Sequence, residues 1–599
     1  MNESPHESGH APAYRITTVL LSVLLAMVSL LYIVCLFKHI SYPLMWADES
    51  MTAVGAQRVL EYGYPKVHDG RNVFYDLRHT DMTLGIDAST DAYIGGAGWS
   101  PYYFTAPFVV LSRLASDLYL KTAILRVPFA LMGVAGLLLL LRTGLRTFEK
   151  RLSSLALALL FVVLELPSVT LMLHLREVRY YSLQLLCTAV ALTVFAAYHL
   201  HASIRYRSYA VAVIALIPLL FLTFYPAAAA FCMAVCLYAG GDWVVAALNK
   251  RFEGIPLNRH WASFPFKTVL PVFASLALLI PMAWFFKTLS ISQQLDEFYG
   301  YTISTFLEHL AVLLGYFMRY DILLFAIAAK SILITLRERV KNDVALLPPF
   351  RLSLFLSLYA ILHALLVCKI PNEFFIRYFI TLQPILVLTF AIDLLIIARL
   401  SFGMRTRQRI ASLAVVATLT AGSAGWAFFQ NRQFISGRLY EISHQYRGVL
   451  DFVIPYIQKR FKRPDQLVIA TNYEETSYIF YLNCKVIIGF VNPDLEPDRL
   501  EQPDCIMYRT FWKNSDIAPL FDRLRKQANY EKVQFPVRDY GFNNIPETEH
   551  WTPRTGWSGN LHLFRTTYAT DPKEQSTLYI RSGSATTGSS VPANRRETP

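Results

Sequence analysis

The sequence predicts a polytopic α-helical membrane protein of about eleven transmembrane helices, followed by a C-terminal extracytoplasmic α/β domain. Of its 599 residues 54% are hydrophobic, and apolar runs of membrane-spanning length recur from residue 15 to residue 429. Beyond Asn431 that pattern stops and shorter amphipathic segments replace it. The formal charge of +13 would suggest nucleic acid in a soluble chain, but the lysines and arginines gather in short loops between apolar runs. That distribution is topological, and it argues against a nucleic-acid partner.

The first apolar run, 15–37, is too long for a signal-peptide core and lacks a small-residue cleavage site, so it reads as an uncleaved anchor. Further spans are expected near 123–141, 152–169, 181–199, 208–224, 226–248, 268–286, 320–336, 352–368, 376–398 and 410–429. Two more stretches, 102–118 and 304–318, are interrupted or short and read as interfacial or re-entrant. With the N-terminus inside, every predicted inner loop is basic: Arg142 to Arg151, Arg205 and Arg207, Lys250 to Lys267, Arg337 to Arg351, and Arg399 to Arg409. Counting either ambiguous stretch as a span would invert everything after it and break the positive-inside rule.

The expected organisation is a membrane region over 1–430, with a long first outer loop at 38–122, and an extracytoplasmic α/β domain over 431–570. In that domain the pattern predicts an amphipathic stretch at 438–462, strands at 467–471, 485–490 and 505–508, and helices at 474–482 and 517–528. The Ser, Thr and Gly-rich tail, 571–599, is expected to be disordered. Five of the seven cysteines lie in apolar segments as packing residues, whereas Cys484 and Cys505 fall in the soluble part, where a disulfide and free thiols are both open readings.

Three elements then fall on the outer face. Trp46-Ala47-Asp48-Glu49-Ser50 follows the first helix, and two adjacent carboxylates at a membrane boundary are costly unless hydrated or employed. A carboxylate there can deprotonate an acceptor hydroxyl or amine, while the plainer alternative makes Asp48 a helix N-cap with Glu49 in the first turn. The second element is Arg176-Glu177-Val178-Arg179-Tyr180-Tyr181. Guanidinium groups outside run against the charge bias and suit a phosphate or pyrophosphate, the alternative being pairing with Glu177 or Asp48. The third is Asn372-Glu373-Phe374-Phe375-Ile376-Arg377-Tyr378, where Arg377 can bind the same anion or snorkel to lipid headgroups.

These residues resemble the GT-C superfamily, within it the branch holding protein O-mannosyltransferases, bacterial aminoarabinose transferases of lipid A and related polyprenyl-phosphate-sugar transferases. The resemblance rests on WADESMTAVGAQRVLEYGYP, REVRYYSL, the stretch SPYYFTAPFVVLSRL…LRVPFALMGVAGLLLLL and RYFITLQPIL, and spans about residues 1–400. It implies Asp48 as catalytic base with Glu49 as partner, and Arg176, Arg179, Tyr181, Arg377 and Tyr378 as contacts to the carrier phosphate or substrate. Relatives often carry a lysine or a Pro-Pro pair before the first-loop tyrosines, where this chain has Trp99-Ser100-Pro101-Tyr102-Tyr103. The loop 67–98, with His68, Asp69, His79, Asp81, Asp87 and Asp91, reads as a solvated loop, the alternative being acceptor binding or a divalent cation. Neither a resident metal nor another cofactor is otherwise expected.

The expected activity is inverting transfer of a sugar from a polyprenyl-phosphate donor to a glycan, lipid or protein acceptor at the outer face of the cytoplasmic membrane. A transporter or flippase of lipid-linked glycans and a non-catalytic scaffold are the rivals. The former calls for ionisable groups deep in the bilayer, of which Glu165 is the nearest case.

Overall fold

A computed structural model of the chain describes residues 10–489, with breaks at 75–76, 80–81, 88, 96–97, 253–264, 299, 371–373 and 446. Beyond these it describes 501–510, 518–539, 551–552, 556–557 and 575–583. Helix α1 (His10–Phe37) leads to α2 (Ala47–Tyr62), and the first loop carries β1 (Leu77–His79), β2 (Met82–Leu84), β3 (Ile86–Asp87) and β4 (Ala92–Tyr93). Then come α3 (Ser100–Ser112), α4 (Leu118–Leu145), α5 (Arg151–Glu165), α6 (Val169–Leu175), α7 (Tyr181–Phe195) and α8 (Tyr206–Phe252). The helical part continues through α9 (Phe266–Phe285), α10 (Thr288–Phe298), α11 (Ile303–Tyr320), α12 (Leu323–Thr335) and α13 (Arg337–Asn342). It closes with α14 (Leu347–Val367), α15 (Gln383–Phe402) and α16 (Thr406–Gln430).

Among the described residues eight helices are long and apolar enough to cross a membrane, or up to ten if each of two bent pairs is one span. Helix α1 turns Val19, Leu20, Met27 and Leu30 outward, each at least 60% exposed, a surface suited to lipid tails and not to water. Helix α8 is broken at Phe224, where φ is −160° and ψ 98°. Tyr209 and Cys232 would stand about 34 Å apart on a straight helix, yet they are electrostatic neighbours, so the two halves fold back on each other. The break falls between the apolar runs expected at 208–224 and 226–248.

The two bent pairs are α5 with α6 and α11 with α12, each turning by 89°. The second leaves a re-entrant reading of 304–318 open but without the interruption, because α11 is a continuous helix of 18 residues whose start is capped reciprocally by Thr302 and Thr305. The first shortens the span expected at 152–169, since Pro167 follows Glu165 where the chain turns into α6.

The C-terminal part contains α17 (Arg432–Ser443), α18 (Val449–Arg460), β5 (Val468–Thr471), α19 (Glu475–Leu482), β6 (Lys485–Ile488), β7 (Cys505–Met507) and β8 (Tyr530–Phe535). Two further two-residue strands, β9 (Trp551–Thr552) and β10 (Gly556–Trp557), pair with each other, and β11 (Ser576–Arg581) closes the series. The sheet runs β6-β5-β7-β11-β8, with β5 parallel to both neighbours and β11 antiparallel to β7 and β8. Strand β11 corrects the expectation of disorder throughout 571–599: Ser576, Leu578 and Ile580 alternate into the core from within the Ser/Thr-rich tail. The rest of that segment lies outside the described residues. Cys484 and Cys505 are free thiols. They flank β5 from opposite sides, two strand spacings of about 4.8 Å apart, beyond the reach of a disulfide.

One apolar core joins α2, α3 and α4 to α18, α19 and the sheet, through residues such as Val54, Phe129, Ile454 and Tyr478. At that junction the buried Asp451 carboxylate accepts from the amides of Leu44 (3.0 Å) and Gly448 (2.7 Å). Burial dominates these bonds and pushes Asp451 up to about 6, above the ordinary value of about 3.9. Its folded form therefore binds the proton more tightly than the unfolded one. The contribution is fully present below about pH 4 and is lost as pH rises through about 6. Thermal unfolding in detergent between pH 4 and 7 should show this decline, and Asp451→Asn should flatten it.

Candidate functional site

Helix α2 begins at Trp46, whose extended backbone makes it the N-cap; Asp48 and Glu49 lie in the first turn, where the dipole favours negative charge. The N-cap alternative for Asp48 is thus replaced by a first-turn position. The helix ends at Gly63, at φ 83°, a left-handed conformation suited to glycine. Gly55 lets α3 approach closely, since a Cβ there would meet the Tyr102 ring at 2.6 Å.

Asp48 and Glu49 part company in their surroundings. The Glu49 carboxylate is fully buried and gripped by Arg126 of α4, with Nε 2.8 Å from Oε1 and Nη2 2.5 Å from Oε2. The remaining Arg126 nitrogen donates to the carbonyls of Ile40 (3.1 Å) and Pro43 (2.8 Å), and the Val178 amide donates to Glu49 Oε1 at 3.2 Å. Glu49 is therefore a locked structural ion pair.

Asp48 keeps 22% of its side chain exposed and faces two cations: Oδ2 lies 3.4 Å from Arg179 Nη2 and 3.5 Å from Arg377 Nη2. Arg179 Nη1 also donates to the Asp48 carbonyl at 3.3 Å. Arg377 lies over the rings of Phe375 (4.0 Å) and Trp46 (5.5 Å), which fix the guanidinium without neutralising it. Burial works against both arginine charges. Asp48 and the tyrosine hydroxyls outweigh it and hold both groups above the usual arginine value. With one carboxylate against two guanidinium groups, the cluster has a surplus positive charge and can take an anion beside a carboxylate.

Tyr181 is buried against this cluster, in the electrostatic field of Arg377 and Arg179, with its hydroxyl lacking a hydrogen-bond partner. Tyr378 lies in range of Arg377, whose guanidinium is 5.8 Å from its ring. Arg176 is brought elsewhere: Nη2 pairs with Glu441 of α17 at 3.2 Å, and Nη1 donates to the Lys38 carbonyl at 3.4 Å. Burial, then Arg438, pushes Arg176 down to about 10. The expectation that Arg176 stands with Arg179 thus meets a different arrangement, because α6 ends at Leu175 and the turn that follows sends the two side chains apart. Asn372 and Glu373 lie outside the described residues.

Four further neighbours were not among the expected site residues. Arg126 is one, though a lone arginine in an apolar run is itself a signal. Glu177 is buried and raised, first by burial and then by Glu49, and Tyr102 is buried in the field of Arg179 and Asp48. Tyr473 reaches the site from the loop between β5 and α19 and feels Glu474 and then Asp48. Helix α19 itself is bonded to α2. Ser50 Oγ lies 2.7 Å from Thr476 Oγ1 and 2.9 Å from Ser477 Oγ, and these two hydroxyls donate to the carbonyls of Ala47 (3.1 Å) and Met45 (2.8 Å).

Among the described residues no group of three or more His, Cys, Asp and Glu side chains could hold a metal ion. In the first loop His68 Nδ1 is 2.5 Å from Asp91, Asp69 pairs with Arg58, and Asp87 accepts from Lys287 Nζ at 2.7 Å. Asp81 lies outside the described residues. Ser100, which precedes the first-loop tyrosines, bonds Thr223 at 2.7 Å.

No family model and no curated protein matches the chain. Solved structures do. ArnT from Cupriavidus metallidurans bound to undecaprenyl phosphate aligns at 13% identity and a TM-score of 0.44, over 93% of this chain and 98% of that one. The same protein in the apo state gives 13% identity and 0.43, over 88% of this chain and 96% of that one. The Archaeoglobus fulgidus oligosaccharyltransferase in complex with zinc and sulfate gives 11% identity and 0.39, over 78% of this chain and 62% of that one.

Proposed function

We propose that the protein transfers a sugar from a polyprenyl-phosphate carrier to an extracytoplasmic glycan, lipid or protein acceptor, with inversion at the anomeric carbon. The observation that carries this reading is the placement of Asp48 Oδ2 within 3.5 Å of both Arg179 and Arg377. In the proposed reaction Asp48 takes the proton from the acceptor hydroxyl or amine as it attacks the sugar, and the sugar–phosphate bond breaks on the opposite side. The carrier phosphate leaves with the bonding electrons, and Arg179 and Arg377 offset its growing charge. Tyr181 and Tyr378 lie beside the arginines, where a hydroxyl donates to a phosphate oxygen. Glu49 positions Asp48 through Arg126.

The topology belonging to this reading has eleven crossings, obtained by counting each bent pair once and the two halves of α8 separately. It places Asp48, Arg179, Arg377 and the C-terminal domain on the outer side of the cytoplasmic membrane. Arg377→Ala and Arg179→Ala are then expected to raise the carrier concentration needed for half-maximal rate by about tenfold or more, the weight of a charge-assisted hydrogen bond. Purified protein with a synthetic lipid-phosphate sugar, assayed for released polyprenyl phosphate, provides the measurement; unchanged carrier dependence would return both arginines to a structural role.

A transporter of lipid-linked glycans is the second reading. It draws on the two 89° helix breaks and on the Lys330–Asp393 ion pair (2.8 Å) between α12 and α15. The same assay separates the two: a transporter moves the intact lipid and releases no free carrier.

A further inference from the structure

Ten residues beyond Asp48 on α2, about 15 Å along the helix, a cavity of about 430 Å³ opens where α2, α3, the first loop and α19 meet. Its charged lining is Arg58, Glu61, Asp69, Arg71 and Arg113, three cations against two carboxylates. Arg58 is 5% exposed and pairs with Asp69 through Nη1, with Glu61 at 3.9 Å, while its Nε and Nη2 have no hydrogen-bond partner. Arg71 donates to two backbone carbonyls, those of Asn483 (3.0 Å) and Asp465, and lies in the field of the Asp465 carboxylate, which also pairs with Arg463. Arg113 is exposed and has no ion-pair or hydrogen-bond partner for its side chain among the described residues.

Exposed aliphatic residues adjoin Arg113 in the chain, and one further such residue, Leu60, lines the cavity itself. Arg113 follows α3 between Leu111, 49% exposed, and Leu114, 86% exposed, with Val110 and Leu60 also more than 40% exposed. A cationic pocket edged by exposed aliphatic side chains has the two-part chemistry of a lipid headgroup site: guanidinium groups for a phosphate, leucines for the first methylenes of the chains. We propose that the cavity holds the phosphate headgroup of an anionic membrane lipid, with the acyl chains lying along the C-terminal end of α3. Arg113 is the exposed clamp and Arg58 the buried one. The inference stands independently of the chemistry at Asp48, which faces a different side of α2.

The test uses the full chain in detergent micelles and isothermal titration with dihexanoyl phosphatidic acid, dihexanoyl phosphatidylcholine and inorganic phosphate. The phosphatidic acid is expected to bind at least about tenfold more tightly than either of the others, since only it combines uncompensated anionic charge with chains. Arg113→Gln, an exposed change that leaves the fold intact, should weaken that binding about tenfold. Leu114→Ser should weaken the phosphatidic acid and leave inorganic phosphate unaffected. Arg337→Gln, far along the chain on an exposed helix, should change nothing. Equal binding of the choline lipid, or an unaltered affinity in Arg113→Gln, overturns the proposal. Inorganic phosphate binding as tightly as the lipid overturns it as well, because the cavity would then be a site for a soluble anion.

Discussion

Asp48→Asn is expected to reduce sugar transfer by about 10²–10⁴-fold, the range over which a positioned general base contributes. Asparagine keeps the shape of the side chain and its place in the first turn of α2, so expression and melting temperature should stay near those of the parent. What it removes is the negative charge between Arg179 and Arg377, at 3.4 and 3.5 Å. The variant should therefore bind an anionic carrier at least as tightly while failing to activate the acceptor. That combination, tight binding with a lost turnover rate, distinguishes a base from a residue that only holds the arginines apart. Near-normal turnover in Asp48→Asn would remove Asp48 from the chemistry and, with it, the reading that the site is a transferase centre.

The second large effect is expected at the ion pair of Glu49, the residue after Asp48, with Arg126. Arg126→Met leaves the Glu49 carboxylate buried with no cation in contact, and breaking such a pair typically costs about 3–5 kcal/mol. A shift of this size is visible as a fall in thermal stability in detergent. Replacing both partners, Glu49→Leu with Arg126→Met, should restore most of the stability because no uncompensated charge remains. Activity should not return with it. Arg126 also holds the carbonyls of Ile40 and Pro43, and these bonds set the angle at which the chain enters α2. A double variant that regains both stability and rate would show that the pair has no part in aiming Asp48.

The convergence of Asp48, Arg179 and Arg377 was legible because charge in an apolar sequence is sparse, and loop parity alone decides which charges share a face. Sorting Arg176 from Arg179 was not, since three residues and one turn of backbone separate a buried structural clamp on Glu441 from a site residue. Arg126 was hidden for a different reason: its partner lies 77 positions away, and nothing in LRVPFALMGV says which charge an isolated arginine there would meet. In the soluble part the parallel strands β5, β6 and β7 carry continuous apolar runs and stood out. Strand β11 did not, because only three of its residues face the core and the surrounding tail is rich in Ser, Thr and Gly. The bend after Glu165 could be read from Pro167. The unbroken length of α11 could not, as Glu308 and His309 interrupt its hydropathy without disturbing its backbone.

The hydrogen bonds from Thr476 and Ser477 to the start of α2 carry a consequence for biosynthesis. Strand β11, at 576–581, is made long after α2, and it lies between β7 and β8, on the far side of β7 from β5, whose loop and following helix brace Ala47 and Ser50. The brace on Ala47 and Ser50 therefore forms only after more than 400 further residues have been made. A polypeptide interrupted before α19 has Asp48 without this brace, so the first turn of α2 takes its final support only once Thr476 and Ser477 have been made.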